Sequence, residues 1–252
     1  MASAAANAKA FFNPAAAWTR EKLRNTLART FESTVNAGRH VEARVLKAMR
    51  GLEVPAQRDA IAIDLPIESR DELAIRISKA HASIAAVSCG AVEAIPFAGL
   101  VLELVTLAEL NVVQVDQIAK AYGFTLGEIP SRVAKTMPLG GSRALLLLPI
   151  LAALHVNALD REGDLESIGR AVKGTAKRVE WQALTGRLAS AAAHGMLKRI
   201  VTKPFRRLIP FAGSAVAAWS GYTFTEAVGA EARRYFRDLA MGTVTVRGRR
   251  VR

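Results

Sequence analysis

The chain has 252 residues, of which 51% are hydrophobic and 6% aromatic, and its formal net charge at pH 7 is +13. A chain of this length can bury a full hydrophobic core, either as one large domain or as two small ones. Its single cysteine, Cys89, excludes an intramolecular disulfide and suits a reducing compartment. The first ten residues have no long apolar run behind them, so no secretory signal peptide is expected.

The positive charge is concentrated at the two ends of the chain. Residues 1–50 contain nine Lys or Arg against three Asp or Glu, and residues 198–252 contain twelve against three. The residues between them contain fourteen against sixteen. Such ends attract a polyanion, which is either a nucleic acid or an anionic membrane surface. The alternative is that these charges are ordinary solvated helix faces.

Residues 1–52 are predicted to form a basic, amphipathic helical arm. Asn13 is a candidate cap, Pro14 suits the first helical turn, and Gly38 is a candidate stop. Four apolar side chains repeat at four-residue spacing: Leu23, Leu27, Phe31 and Val35. A second amphipathic helix is predicted after Gly38. Such an arm suits a membrane surface, but docking on its own domain explains the same pattern.

Residues 53–68 are predicted to be an extended linker, because apolar residues alternate in AIAIDLPI. The basic tail, residues 241–252, alternates in TVTVRGRRVR, so the two segments are expected to pair as a small ribbon. The sequence SRDE at Ser69–Glu72 matches a capping box, which predicts that the next helix opens at Ser69.

Residues 69–240 are predicted to be a helical domain. One helix runs from the capping box to Pro96, and a second, mostly apolar helix ends near Gly123. The uncharged run Ala144–Leu159 has sixteen residues, whereas a membrane span needs about 20, so a buried core helix is expected there.

The pentapeptide IPFAG occurs twice, at Ile95–Gly99 and at Ile209–Gly213, 114 residues apart. Proline interrupts a helix and glycine permits close backbone approach, so each copy is predicted to be a tight turn before an apolar helix. The turn residues are Pro96, Gly99, Pro210 and Gly213. The two copies are expected to form Pro/Gly-broken hairpins that pack as a pseudo-symmetric pair.

Both copies end on an aromatic pair around a tyrosine, Tyr122 or Tyr235, at nearly the same distance from the proline. The first closes 26 residues later at Tyr122 and Gly123, and the second closes 25 residues later at Tyr235 and Phe236. The second copy contains an uncharged run of eighteen residues, Leu208–Thr225. Its proline and glycines argue against a simple span and favour a buried or shallowly inserted hairpin.

These motifs resemble the two signature regions of EcsC-like bacterial proteins. The first region ends in an IA–YG motif, here Ile118, Ala119, Tyr122 and Gly123. The second has a basic stretch, an IP–G turn and a closing A–YF motif, here Ala232, Tyr235 and Phe236. YcjF-type inner-membrane proteins share this plan. The resemblance covers roughly residues 70–240 and implies a helical, intracellular, membrane-associated protein without an established reaction.

The sequence predicts no catalytic residue, cofactor or metal site. His40, His81, His155 and His194 lack ligand-type spacing, and no HExxH, CxxC, Walker A, Rossmann or nucleophile-elbow motif is present. Cys89 is expected to be a small core residue. The segment LGGSRA at 139–144 could hold a phosphate, or it could be an ordinary helix cap.

Three acids interrupt the apolar helix after the first IPFAG: Glu103, Glu109 and Asp116. We expect them to face solvent or to form ion pairs. Glu103 is the one candidate functional acid, and it stands where the EcsC-like pattern often has Asp.

Binding to an anionic surface is assigned to seven basic residues: Lys203, Arg206, Arg207, Arg247, Arg249, Arg250 and Arg252. The tail has no interleaved aromatic residue, so specific nucleic-acid binding is not expected.

The sequence therefore predicts an all-α, compact multi-helix bundle that is peripheral to the cytoplasmic face of a bacterial membrane, non-enzymatic and accessory to transport. A protein partner or a homo-oligomer is compatible with the same sequence. One alternative is a soluble helical scaffold that binds an acidic protein. Another is a lipid or phosphate-ester hydrolase that acts through Glu103.

Overall fold

The computed structural model contains six helices and one short ribbon within the residues it describes. The helices are α1 (Pro14–Ala37), α2 (Ile67–Val92), α3 (Ala98–Ala121), α4 (Leu147–Ala153), α5 (Arg178–Val201) and α6 (Ala212–Ala240), and the strands are β1 (Thr245–Val246) and β2 (Arg249–Arg250). The described residues are 14–37, 65–92, 98–124, 143–156, 178–201, 212–242, 245–246 and 249–250. The predicted all-α fold is confirmed for this part of the chain.

Helix α1 begins at Pro14, as the sequence predicts, and packs mainly against α5 and α3. Leu27, Phe31 and Val35 are fully or almost fully buried and belong to the same hydrophobic core as the other helices. The apolar stripe of the arm is therefore used for docking on its own protein. The second predicted arm helix, within residues 38–52, lies outside the described residues.

Helix α2 begins at Ile67, so the predicted cap at Ser69 is wrong and the last two residues of the predicted linker are helical. The carbonyl of Pro66 accepts the Arg70 amide at 3.2 Å, which starts the helix two residues early. The fixed φ of proline favours this start. The Arg70 Nε also donates to the carbonyl of Leu65 at 2.8 Å, which ties the entering chain to the first turn.

Within the described residues, the ribbon is formed by the basic tail. Thr245 pairs with Arg250 and Val246 pairs with Arg249 in antiparallel register. The tail supplies both of these strands, and the expected pairing with the linker stays a prediction. The linker residues 53–64 lie outside the described part of the chain.

Helix α6 packs most extensively against α2, and the two helices run antiparallel. Gly90 approaches Ala218, whereas Ser78, near the middle of α2, meets Gly229 further along α6. The helices approach closely at Gly221, where an added Cβ would lie 2.6 Å from the Cys89 Sγ and 2.9 Å from a backbone oxygen, and at Gly229, where it would lie 2.4 Å from the Ser78 Oγ. Glycine permits this spacing because it has no side chain.

Helices α3 and α6, which follow the two IPFAG turns, run parallel. The Gln114 Nε2 donates to the carbonyl of Thr225, 111 residues later, at 3.1 Å. The rings of Phe124 and Phe236, which are 112 residues apart, have centroids 5.7 Å apart. These spacings are close to the 114-residue offset of the sequence repeat. The two repeat helices therefore lie side by side and start at the same end of the bundle.

Each repeat helix begins at the alanine of its IPFAG word, Ala98 in α3 and Ala212 in α6. Gly99 and Gly213 are thus the second residues of these helices, so their prediction as turn residues is wrong. The prolines of the two words, Pro96 and Pro210, lie outside the described residues.

The uncharged run Ala144–Leu159 contains a short buried helix, as predicted, and residues 157–159 lie outside the described part of the chain. A 3₁₀ turn, Arg143–Leu146, leads into α4, whose residues Leu147 and Ile150 are fully buried. Among the described residues, no helix combines the length and the apolar character needed to cross a membrane.

Replacing Gly221 by alanine should lower the free energy of unfolding by about 1–3 kcal/mol, because the new methyl group overpacks the α2–α6 contact. Gly186 on α5 is the matched control, because a Cβ there would meet nothing within 4 Å. Gly186→Ala should raise the free energy of unfolding by roughly 0.5–1 kcal/mol through helix propensity. Urea denaturation of both variants measures the difference, and equal effects would contradict the described α2–α6 packing.

Candidate functional site

The helix α3 closes with a Schellman motif at the predicted Tyr122–Gly123 turn. Gly123 has φ 89°, its amide donates to the carbonyl of Lys120 at 2.9 Å, and the Phe124 amide donates to the carbonyl of Ala119 at 2.9 Å. A glycine after a helix adopts this left-handed conformation without steric cost. The motif turns Phe124 into the core, where its ring meets that of Phe236.

The buried Tyr122 connects three helices at this end of the bundle. Its hydroxyl donates to Asp71 Oδ1 at 2.5 Å, and Arg237 Nε lies 3.4 Å from Asp71 Oδ2. The Arg70 Nη1 donates to the carbonyl of Tyr122 at 3.2 Å. Burial raises the pKa of Tyr122, and the hydrogen bond to Asp71 raises it further. The hydroxyl is therefore protonated and acts as a hydrogen-bond donor at neutral pH.

The predicted turn at Tyr235 and Phe236 is wrong, because α6 continues through both residues to Ala240. The first copy has Gly123 after its tyrosine, whereas the second has Phe236, and a bulky residue disfavours positive φ. Phe236 is buried and its ring meets that of Tyr235 edge-on at 5.1 Å. Burial raises the pKa of Tyr235.

A row of buried polar side chains lies between α2, α3 and α6, and it was missed in the sequence analysis. His81 Nε2 and Gln117 Oε1 lie 2.8 Å apart, and both residues are buried. Burial lowers the pKa of His81 to about 4, although the hydrogen bond with Gln117 opposes the shift. The imidazole is therefore neutral at pH 7. The available signal was the spacing of Asn111, Gln114 and Gln117 within an otherwise apolar run.

The acids of α3 do not converge on one site. Glu103 and Glu109 are half-buried, and both have interaction partners. Asp116 is buried and its Oδ2 lies 3.1 Å from the Lys120 Nζ one turn later. The acids were expected to face solvent or to form ion pairs. This prediction is confirmed for Asp116, which forms an ion pair. No group of three or more His, Cys, Asp or Glu among the described residues could hold a metal ion.

The predicted basic residues fall mostly outside the described part of the chain. Arg249 and Arg250 form β2. The other five lie outside: Lys203, Arg206, Arg207, Arg247 and Arg252. Cys89 is buried, as expected for a core residue.

Five large apolar side chains are exposed at the end of the bundle where the two repeat helices begin, and we call this set the elbow face. Their exposed fractions are 72% for Val87, 39% for Val101, 50% for Leu102, 40% for Val216 and 69% for Trp219. The Trp219 ring stacks on Tyr222 with centroids 6.4 Å apart. The elbow face is opposite to the Tyr122 end of α3.

Comparison with known proteins adds no assignment, because no family model, no curated protein and no solved structure matches this chain. The resemblance to EcsC-like proteins stays a prediction that depends on the motifs quoted above. Among the described residues, the helices form a bundle with a hydrogen-bonded end at Tyr122, where Leu65, Ile75 and Met241 are also exposed, and an opposite end that exposes the five apolar side chains of the elbow face.

Replacing Tyr122 by phenylalanine should lower the free energy of unfolding by roughly 1.5–3 kcal/mol. The variant lacks the hydroxyl that donates a hydrogen bond to the charged carboxylate of Asp71. Asp71→Asn and the double variant complete a double-mutant cycle measured by urea denaturation. The two single effects should be non-additive by at least about 1 kcal/mol. Additive effects would show that the hydroxyl and the carboxylate do not interact.

The lowered pKa of His81 predicts a loss of stability in weak acid. The unfolded chain takes up a proton near pH 6.5, whereas the folded chain does so only near pH 4. The free energy of unfolding should therefore fall between these pH values, by up to about 3 kcal/mol. Denaturation titrations of wild type and His81→Gln isolate this contribution.

The exposed His194 on α5 supplies the control for that titration. His194→Gln should keep the pH dependence of the wild type, whereas His81→Gln should flatten it between pH 6.5 and pH 4. If His81→Gln kept the full dependence, the fall in stability would come from other groups.

Proposed function

We propose that this protein is a peripheral protein of the cytoplasmic face of a bacterial membrane and that its basic ends bind anionic lipid headgroups. The observation that carries the proposal is the charge distribution, in which both ends are strongly basic while residues 51–197 contain fourteen Lys or Arg against sixteen Asp or Glu. A strongly basic part of a protein attracts an oppositely charged surface and speeds association with it. Anionic bilayers attract basic segments with about 1 kcal/mol per Lys or Arg near the surface.

The docked arm supports this proposal. Because Leu27, Phe31 and Val35 are used in the core, the side of α1 that faces outward is polar, and its exposed charged residues are Glu21, Lys22, Arg29 and Glu32. Helix α1 as a whole contains four Lys or Arg against two Glu. A helix of this kind contributes charge to a membrane contact rather than apolar area. Binding through α1 should therefore be electrostatic and sensitive to salt.

The EcsC-like resemblance supports the same location, since it implies a membrane-associated helical protein. An acidic protein is the competing partner, because it would also be attracted by the basic ends. Lipid binding and protein binding differ in one measurable respect, which is whether protein-free vesicles are sufficient.

Purified protein should co-sediment with vesicles that contain phosphatidylglycerol and should be released by high salt, whereas pure phosphatidylcholine vesicles should bind it weakly. Replacing Lys203, Arg206 and Arg207 together by glutamine should weaken binding to the anionic vesicles by roughly 3 kcal/mol, or about a hundredfold. The loss follows from removing three charges from one short segment.

The matched control removes three exposed charges elsewhere, at Arg76, Lys79 and Arg234. This variant has the same net charge as the first, so a smaller loss of binding would assign the effect to the segment before α6. If wild-type protein did not bind anionic vesicles at low salt, the membrane proposal would be wrong. The basic ends should then be tested against acidic proteins.

A further inference from the structure

The elbow face is formed by three helix ends that meet at one end of the bundle. Helices α3 and α6 start there because they run parallel, and the antiparallel α2 ends there. Val87 lies near the end of α2, Leu102 near the start of α3, and Trp219 near the start of α6. Exposed apolar side chains from separate helices thus share one end of the molecule.

These helix ends also lack charge. Helix α2 has no Asp, Glu, Lys or Arg after Lys79, α3 has none before Glu103, and α6 has none before Glu226. Val216 and Trp219 are three residues apart and therefore lie on the same side of α6. Groups of exposed apolar side chains mark contact surfaces in proteins. The end of the bundle is therefore suited to an apolar environment rather than to water.

We propose that the elbow face inserts into the interfacial region of an anionic bilayer with Trp219 as its anchor, a proposal that rests on the proposed function. Trp219 is the eighth residue of α6, about 10 Å along the helix axis from Ala212. Interfacial elements bury their apolar face about 5–10 Å deep. When α6 stands with its start toward the bilayer, Trp219 lies at the headgroup level, where tryptophan is enriched.

Charge complementarity selects a lipid surface over a second copy of the chain. Lys203, Arg206 and Arg207 precede α6 by only five to nine residues, so chain length keeps them within reach of the headgroups next to the elbow face. An anionic bilayer neutralises these charges. Two copies that met through their elbow faces would bring the same basic segments together, in molecules that each carry a net charge of +13.

The test uses the full chain with Trp219 as its one tryptophan, made by replacing Trp18 and Trp181 with phenylalanine. The probe is a phosphatidylglycerol–phosphatidylcholine vesicle with brominated acyl chains. Vesicle binding should shift the Trp219 emission to shorter wavelength, and the bromines should quench it. Circular dichroism reports whether the two phenylalanine substitutions leave the helices intact.

A second measurement uses the otherwise wild-type chain, so that it does not depend on those substitutions. Trp219→Ser should weaken binding to the anionic vesicles roughly tenfold to a hundredfold, because a large apolar side chain no longer leaves water. Met241→Ser is the matched control, since Met241 is also exposed but follows the opposite end of α6. It should leave vesicle binding unchanged.

The outcomes separate insertion from binding. Insertion would be overturned if the protein co-sedimented without a shift in Trp219 emission and if Trp219→Ser bound as well as wild type. The proposal of electrostatic binding would then still stand. Failure to co-sediment would overturn both. An emission shift that appears without lipid as protein concentration rises would show that a second copy covers the elbow face, and this too would overturn insertion.

Discussion

The contact on which the arrangement depends is the close approach of α6 to α2 at small residues. At Gly221 and Gly229 the two helices are too close for a side chain on α6. Cys89 occupies the space next to Gly221, and Ser78 occupies the space next to Gly229. Such an approach fixes both the position and the direction of α6 along α2. Helix α3 follows α2 after only five residues and lies beside both. The parallel pairing of α3 with α6 is therefore a consequence of the α2–α6 contact.

This arrangement gives the two ends of the three-helix unit different chemistry. At one end, the hydrogen bond between Tyr122 and Asp71 links the start of α2 to the end of α3. Arg237 of α6 forms an ion pair with Asp71, which connects the third helix. At the other end, the same helices expose Val87, Leu102 and Trp219, and Glu103 is the first charged residue of α3. Between them, the neutral His81 and Gln117 form a buried polar contact. One end is thus held by hydrogen bonds, while the other is available for a partner.

Sequence patterns predicted those elements whose signals are local. The start of α1 at Pro14 and the burial of the run around Ile150 follow from proline chemistry and from apolar runs, which need no information about neighbours. The turn predicted at Tyr235 was wrong because the second copy has Phe236 where the first copy has Gly123. The polar row at Gln114 was missed because its burial is set by α2 and α6, which are distant in sequence. The elbow face could not be predicted either, since the exposure of Trp219 depends on which side of α6 meets α2.

Distances between pairs of spin labels determine whether both repeat helices start at the same end of the bundle. In a Cys89→Ala background, labels at residues 102 and 216 should be close. Labels at 102 and 241 should be about 35–40 Å apart, because a helix of 25 residues separates position 241 from position 216. Pulsed electron resonance measures both distances in solution. The account predicts a short first distance and a long second one. The reverse order would show that α3 and α6 run antiparallel, and the elbow face would not exist.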